Sequence, residues 1–349
     1  MNHAAYRIID ANFNRAREAC RLVEEFCRFV LNNKSLTERA KKLRHALSAI
    51  IGSIDSNLLL ASRDTKGDVG AGKTVQNQME RQNLTDCFTA ACKRLGEALR
   101  VLTEMLQTID ASKAGQIERL RFEAYELEKD SSLFFNTAER FKPVRLYVII
   151  TSDLPAEIIR LTQSCTAGGA DCVQLRAKNI DTDALLAVAN EFVGMCKEHD
   201  VLAIINDRVD IALASDADGV HLGQNDLPME QVRKLQHRPL IIGCSTHSMA
   251  ELEKALEQLP TYVSLGPVFA TDTKPDLQPV GLEYVKQATK FLKDTGISGV
   301  AIGGITAKNV ADVLKAGAST VAVCSAIAKA EDPASACRDL KQQIVSFQK

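Results

Sequence analysis

The sequence contains no tryptophan, and aromatic residues make up only 5% of it. It also lacks an excess of either charge: 43 lysines and arginines face 44 aspartates and glutamates, for a net charge of -1. That balance removes any general attraction to nucleic acid or to an anionic membrane, so an anion can be held only at a local site. No apolar run approaches the roughly 18 residues needed to cross a bilayer. The opening stretch MNHAAYRIIDANFNRA has no apolar block of the kind a secretory signal needs. A cytoplasmic chain is expected. Histidines number six, and none of the ten cysteines forms a CxxC pair, which argues against zinc-finger and dithiol chemistry. Cys20 and Cys27 lie seven apart on one helical face, while Cys172 and Cys324 fall inside apolar runs. Free thiols at such positions behave as small buried hydrophobes.

What is present is an ordinary soluble composition, 46% hydrophobic and 25% charged, in 349 residues. That length suggests two domains. Residues 1–140 read as a helical bundle of unknown function, and residues 141–349 read as an α/β domain. In the first part, Phe13, Ala16, Cys20, Val23, Cys27 and Val30 recur at helical spacing. Phe88, Cys92, Leu95, Leu99, Leu102 and Leu106 do the same. SLTE at 35–38 reads as a capping box opening a second helix, and a further helix is expected at about 113–129. RAREACRLVEE (15–25) aligns with RLGEALRVLTE (94–104), matching Arg15 with Arg94, Glu18 with Glu97, Arg21 with Arg100 and Glu25 with Glu104. Duplicated helix pairs imply a bundle with pseudo-twofold symmetry. The matching charges at steps of three and four fit either a solvated ion-pair ladder or a shared binding face.

GDVGAGKT (67–74) satisfies the P-loop pattern GxxxxGK[ST]. A phosphate loop needs a buried strand running into it and a helix leaving it. Here LLLA (58–61) reads as a helix end, and the following VQNQMERQNL has no apolar face. A glycine-rich connection is therefore expected, at most a local anion site, and not an NTPase.

Beyond FKPVRLYVIIT, short β-branched runs alternate with amphipathic stretches, the pattern of a parallel sheet covered by helices. The strand candidates are 146–151, 172–177, 202–207, 219–223, 240–245, 262–268, 299–304 and 320–326. Eight such units fit a compact (β/α)8 TIM barrel, with a doubly wound open sheet as the alternative. Barrel chemistry sits at strand C-termini. Those ends carry Gln174, Arg176 and Lys178; Asn206 and Asp207; His221, Gln224 and Asp226; Ser245 and His247; Thr271, Thr273 and Lys274; Gly303 and Gly304; and Ser325. Asp207 and Asp226 close successive strands and could share one hard cation such as Mg²⁺. Arg176 offers a bidentate fork, and Lys178 and Lys274 offer point charges for phosphate. The glycines after the seventh strand suit a phosphate-binding turn. His221 fits equally a direct ligand and a hydrogen-bond partner behind the site. No GxSxG elbow supports a nucleophile at Ser245 and His247.

With VQLRAK, INDRVDIALASDADGVHLGQNDLP, GCSTH, SLGPVFATDTK, AIGGIT and AGAST-VAVCSAI in place, residues 145–347 resemble the thiamine-phosphate synthase family. The resemblance implies a transferase of thiamine biosynthesis. It would couple 4-amino-2-methyl-5-(diphosphooxymethyl)pyrimidine to a thiazole phosphate, releasing pyrophosphate by a dissociative, Mg²⁺-assisted path. It would place Gln174, Arg176, Lys178 and Asn206 on the pyrimidine diphosphate, and Ser245 and Lys274 on its diphosphate. Asp207 and Asp226 would hold the metal, while Thr271, Thr273, Gly304 and Ser325 would face the thiazole phosphate. Arg176, Lys178, Lys274 and Ser245 would carry the catalysis. Partners would be small molecules only, with neither nucleic acid nor membrane, and self-association stays open. Ala177 stands where an acidic residue often precedes the lysine, and Cys324 where an aliphatic residue is common. A thiazole tautomerase relative is the rival, but such proteins tend to lack the full diphosphate and metal set. The N-terminal half is similar to extensions that precede some synthases of this family, and its role is left open.

Overall fold

The structure is a computed structural model and describes residues 2–70, 72–73, 80–271 and 277–347. The chain divides into two compact units, Met1–Ser132 and Leu133–Lys349.

Among the described residues of the first unit, every regular element is a helix. Helix α1 (Asn2–Glu25) runs into a π-helical turn (Phe26–Val30), followed by α2 (Lys34–Gly52), α3 (Ser56–Ser62), α4 (Leu84–Gln107) and α5 (Ala111–Phe141), whose residues from Leu133 onward belong to the second unit. The α4 stripe is buried over its whole length, from Phe88 to Leu106. On α1 the stripe is buried from Ala16 to Cys27, but the wider π turn advances the face, so Phe26 enters the core and Val30 stays half-buried. Phe26 stacks on Phe88 with centroids 4.3 Å apart.

The expected capping box is not the cap of α2. Asn33 fills that role, its side chain accepting from the Leu36 N–H at 3.0 Å, and Ser35 lies inside the helix. Helix α5 also outruns the expected end at 129. Nothing in DSSLFFNTAERF breaks a helix before Pro143.

The duplicated ladders form equivalent ion pairs, Arg21–Glu25 and Arg100–Glu104, both at 2.5 Å. Their arginines are about half exposed, so each pair contributes little to stability. One buried exception is Glu24, which accepts from Arg44 Nε at 2.7 Å. The P-loop motif has no strand before it among the described residues. Two of its amides are already taken by carboxylates, Gly67 N–H by Asp64 at 2.8 Å and Gly70 N–H by Asp68 at 2.9 Å. Thr74 lies outside the described residues.

The second unit is a TIM barrel. Strands β1 (Leu146–Thr151), β2 (Cys172–Arg176), β3 (Leu202–Asn206), β4 (Gly219–Leu222), β5 (Ile241–Thr246), β6 (Tyr262–Leu265), β7 (Ser298–Ile302) and β8 (Thr320–Val323) close a ring in chain order. All neighbours pair in parallel, β8 returning to β1 through Leu146–Val321, Tyr147–Ala322 and Val148–Val323. The parallel direction puts every strand C-terminus on one face, which is why strand-end residues can converge. The opposite end is filled by Phe141 from the last turn of α5, which lies flat on Tyr262 at 4.3 Å with ring planes 4° apart.

Eight of the ten cysteines are buried and Cys87 and Cys324 are half-buried, with none in a disulfide. Burial pushes the Cys27 and Cys337 thiols up to about 11.

Candidate active site at the mouth of the barrel

Seven of the residues expected at the site border a single cleft: Gln174, Arg176, Asn206, Ser245, Thr271, Gly304 and Ser325. They come from different strand ends, so only closure of the ring assembles them. Gln174 and Ser245 point inward from β2 and β5 and are buried, at 2% and 4% exposure. Arg176 and Asn206 are the last residues of their strands and are half-buried.

After β7, Gly303 and Gly304 adopt φ of 104° and 63°, which side chains rarely tolerate. A Cβ on Gly303 would meet Pro267 at 2.5 Å, and one on Gly304 would meet the Ala270 carbonyl at 2.6 Å. Backbone amides can therefore lie bare to the cleft there. Asn309 holds the turn, donating from Nδ2 to the Gly304 carbonyl at 2.9 Å and accepting from the Thr306 N–H at 2.8 Å. Ser325 opens a single helical turn, Ser325–Ala328, after β8.

Asp207 and Asp226 do not line this cleft: Asp207 directly follows Asn206, which does, and Asp226 borders a separate pocket with Gln224 and Cys244. Asp207 follows β3 with a left-handed backbone, φ 61°, and its N–H donates to the His221 carbonyl at 2.8 Å. Asp226 Oδ2 accepts from the Gly223 N–H at 2.6 Å. The two carboxyl groups are within hydrogen-bonding reach of each other. Burial first, then the hydrogen bond and charge of Asp226, push the Asp207 carboxyl up to about 6, while Lys178 and Arg176 act in the opposite sense. Two carboxylates competing for one proton, with two cations nearby, are what a hard divalent ion would relieve. Among the described residues no cluster of three or more His, Cys, Asp or Glu forms a metal cage. A two-carboxylate seat suits Mg²⁺, which takes its remaining ligands from water and substrate phosphate.

Lys178 is exposed, on a loop organised by a residue that sequence reasoning missed. Asp153 accepts from the Lys178 N–H at 2.6 Å, the Asn179 N–H at 3.0 Å and Asn179 Nδ2 at 2.9 Å. These bonds, led by those from Asn179, hold the Asp153 carboxyl below its usual range. Its signal in the sequence was its place just after β1. Thr273 and Lys274 lie outside the described residues.

His221 uses both ring nitrogens within the protein, Nδ1 with Tyr262 Oη and Nε2 with Ser245 Oγ, each at 3.0 Å, while it also borders the cleft. His247 Nδ1 donates to the Gly266 carbonyl at 2.5 Å, and burial pushes the neighbouring Cys244 thiol up to about 11. Ser245 Oγ is thus bonded to His221 and not to His247, so the Ser245–His247 pair considered from the sequence is not what these bonds form.

Residues 146–327 match the family described as Thiamine monophosphate synthase, and residues 7–130 match the ThiD2 family. The chain is 38% identical over 342 residues to a thiamine-phosphate synthase of Synechocystis, an alignment covering 98% of this chain and 96% of that protein. The chain belongs to the thiamine-phosphate synthase family. A thiamine-phosphate synthase of Rhodopirellula baltica is likewise 38% identical, over 92% of this chain and 88% of that protein. Both relatives are matched across the helical unit as well as the barrel. A solved thiamine phosphate pyrophosphorylase from Pyrococcus furiosus is 35% identical, with a TM-score of 0.55; the match covers 60% of this chain and all of that one. The synthase fold in that structure thus accounts for the barrel's share of the chain. No described helix is long and apolar enough to cross a membrane.

Proposed function

We propose that the barrel joins an aminopyrimidine methyl diphosphate to a thiazole phosphate, forming thiamine phosphate and releasing pyrophosphate. The observation that carries this reading is the convergence on one cleft of Arg176, Gln174, Asn206 and Ser245 with the Gly303–Gly304 turn, together with the paired carboxyls of Asp207 and Asp226. Membership of the synthase family over almost the whole chain supports it.

In this reading Arg176 and Lys178 hold the diphosphate, with Lys274 as a third cation, and their charges offset the negative charge that gathers as the carbon–oxygen bond lengthens. The electron-rich aminopyrimidine stabilises the methylene cation, so cleavage runs ahead of attack. Gln174 and Asn206 orient the pyrimidine, and Ser245 contacts the diphosphate. Thr271, Thr273, Gly304 and Ser325 seat the thiazole phosphate, placing its nitrogen over the electrophilic carbon. That nitrogen carries no proton, so no general base is required, and in this reading the His221–Ser245 hydrogen bond orients Ser245 rather than activating it as a nucleophile. Asp207 and Asp226 would hold Mg²⁺, which when bound supplies further charge neutralisation on the diphosphate.

The test is to mix the purified chain with both substrates and Mg²⁺. Thiamine phosphate and pyrophosphate should appear in equal amounts. Absence of both would sink the proposal, and turnover of the thiazole phosphate alone would favour the tautomerase alternative.

A further inference from the structure

Beneath the cleft, five side chains from five strands form one unbroken buried chain of hydrogen bonds. Gln174 Nε2 donates to Tyr147 Oη at 2.7 Å, and Tyr147 Oη lies 2.8 Å from Tyr262 Oη. Tyr262 Oη lies 3.0 Å from His221 Nδ1, and His221 Nε2 lies 3.0 Å from Ser245 Oγ. Tyr147 and Tyr262 are 1% and 0% exposed, with His221 at 8%. Both ends of the chain border the cleft, while its two tyrosines are sealed below it.

Counting protons gives the chain a direction. An amide nitrogen can only donate, so Tyr147 Oη accepts from Gln174, and its single hydroxyl proton passes to the Tyr262 oxygen, a stronger acceptor than the Cys172 sulfur it also meets. Tyr262 has then accepted one bond, and its own proton goes to His221 Nδ1. An accepting Nδ1 places the imidazole proton on Nε2, which donates to Ser245 Oγ. The Ser245 proton is left over for the cleft, and so is the carbonyl Oε1 of Gln174. Reversing the Gln174 amide would reverse every bond in the row and exchange the roles of both ends.

We propose that Tyr147, Tyr262 and His221 act as a one-directional relay that positions Gln174 and Ser245, presenting Gln174 Oε1 to the cleft as an acceptor and the Ser245 hydroxyl as a donor. These polarities match an aminopyrimidine carrying N–H donors and a diphosphate carrying acceptor oxygens, so the inference rests on the coupling reaction proposed above. Tyr147 and Tyr262 touch no substrate; they act through the residues that do. Burial keeps both phenols well above their ordinary range, so each holds the single proton the relay needs. The rings are fixed by packing: Phe141 stacks on Tyr262, and His221 lies over Tyr262 at 5.6 Å. Gly243 on β5 leaves room for the Tyr262 ring, which would lie 2.0 Å from any Cβ at that position.

The test uses the full chain labelled with ¹⁵N at histidine, with His221→Asn identifying the His221 signals. Without substrate, His221 should be neutral and protonated at Nε2. In Tyr262→Phe the donor to Nδ1 is gone, so the tautomer should cease to be fixed. In Tyr147→Phe, Tyr262 still donates to His221 and the tautomer should persist, although Gln174 loses its anchor. In both variants kcat/KM for the pyrimidine diphosphate should fall by about ten- to a hundredfold, and KM for the thiazole phosphate should move by less than about twofold. A merely structural role would change both substrates' parameters together. The proposal is overturned if wild-type His221 carries its proton on Nδ1, or if Tyr262→Phe leaves tautomer and kcat/KM unchanged. The wild-type tautomer needs no variant, so the relay stays testable even if Tyr262→Phe fails to fold. It is also read without turnover: the expected tautomer in a chain that makes no thiamine phosphate would count against the coupling reading and support the relay.

Discussion

Replacing Gly243 with alanine puts one methyl group where the structure has no room for it. An ideal Cβ there would lie 2.0 Å from Tyr262 Cζ, 2.3 Å from its hydroxyl oxygen and 2.5 Å from Cε1, well inside contact distance. The ring cannot retreat cheaply, because Phe141 stacks on it at 4.3 Å and its hydroxyl is bonded to Tyr147 and His221. If the ring holds its place, overpacking costs about 1–3 kcal/mol, and this contact belongs at the upper end of that range. If the ring moves, it gives up two buried hydrogen bonds at about 1 kcal/mol each, with a further penalty for groups left unpaired. Either route costs at least about 2 kcal/mol, and the second also displaces the centre of the buried relay. The assay is urea unfolding followed by circular dichroism, with turnover measured below the transition. Gly115→Ala in α5 is the matched control: nothing lies within 4 Å of the added Cβ, and relief of helical glycine should stabilise by roughly 0.5–1 kcal/mol. Equal stability and full activity in Gly243→Ala would refute the packing argument.

In the metal-free chain the raised Asp207 carboxyl gives stability a pH dependence. Between the ordinary carboxyl value, near ~4, and about 6, the folded state keeps a proton that the unfolded state has lost, so stability falls as pH rises through that window. Urea midpoints should show this slope, Asp207→Asn should flatten it, and Mg²⁺ should raise the midpoint at pH ~7 but not at pH ~4. Glu24→Gln removes the charge facing Arg44 in the helical unit and should cost about 1–3 kcal/mol with coupling activity unchanged, read by the same unfolding assay. Lys73→Ala should leave turnover at the wild-type level, since the loop's Gly67 and Gly70 amides already bond carboxylates; a large loss would restore a role for the P-loop motif.

The strands were legible to within two residues at most ends, except β6, whose run YVSLGPV stops pairing at Leu265 before the Gly266–Pro267 bond, and β8, whose run TVAVCSA stops at Val323 because a helical turn opens at Ser325. Proline offers no N–H to a ladder, and the apolar pattern does not show where pairing ends. Parallel strands buried on both faces leave continuous apolar runs, which explains why the rest were found. Seven residues that border the cleft could be picked out beforehand because polar residues at the ends of such runs have no packing reason to be there. Helix ends were harder: Asn33 and the Ser of SLTE are both good caps, and only tertiary packing chose between them. The relay could not be read at all. Tyr147 and Tyr262 sit in apolar runs as ordinary core residues do, and their hydroxyls meet only when β1 and β6 are brought across a closed ring.

The central claim is that the barrel mouth gathers cations and a two-aspartate seat so that a diphosphate can be held and released. Calorimetric titration of the chain with inorganic pyrophosphate, with and without Mg²⁺, tests it most directly. The account predicts one site per chain whose affinity depends on Mg²⁺ and is lost in Asp207→Asn and in Arg176→Ala. Pyrophosphate binding that is indifferent to Mg²⁺ and unaffected by both substitutions would contradict it.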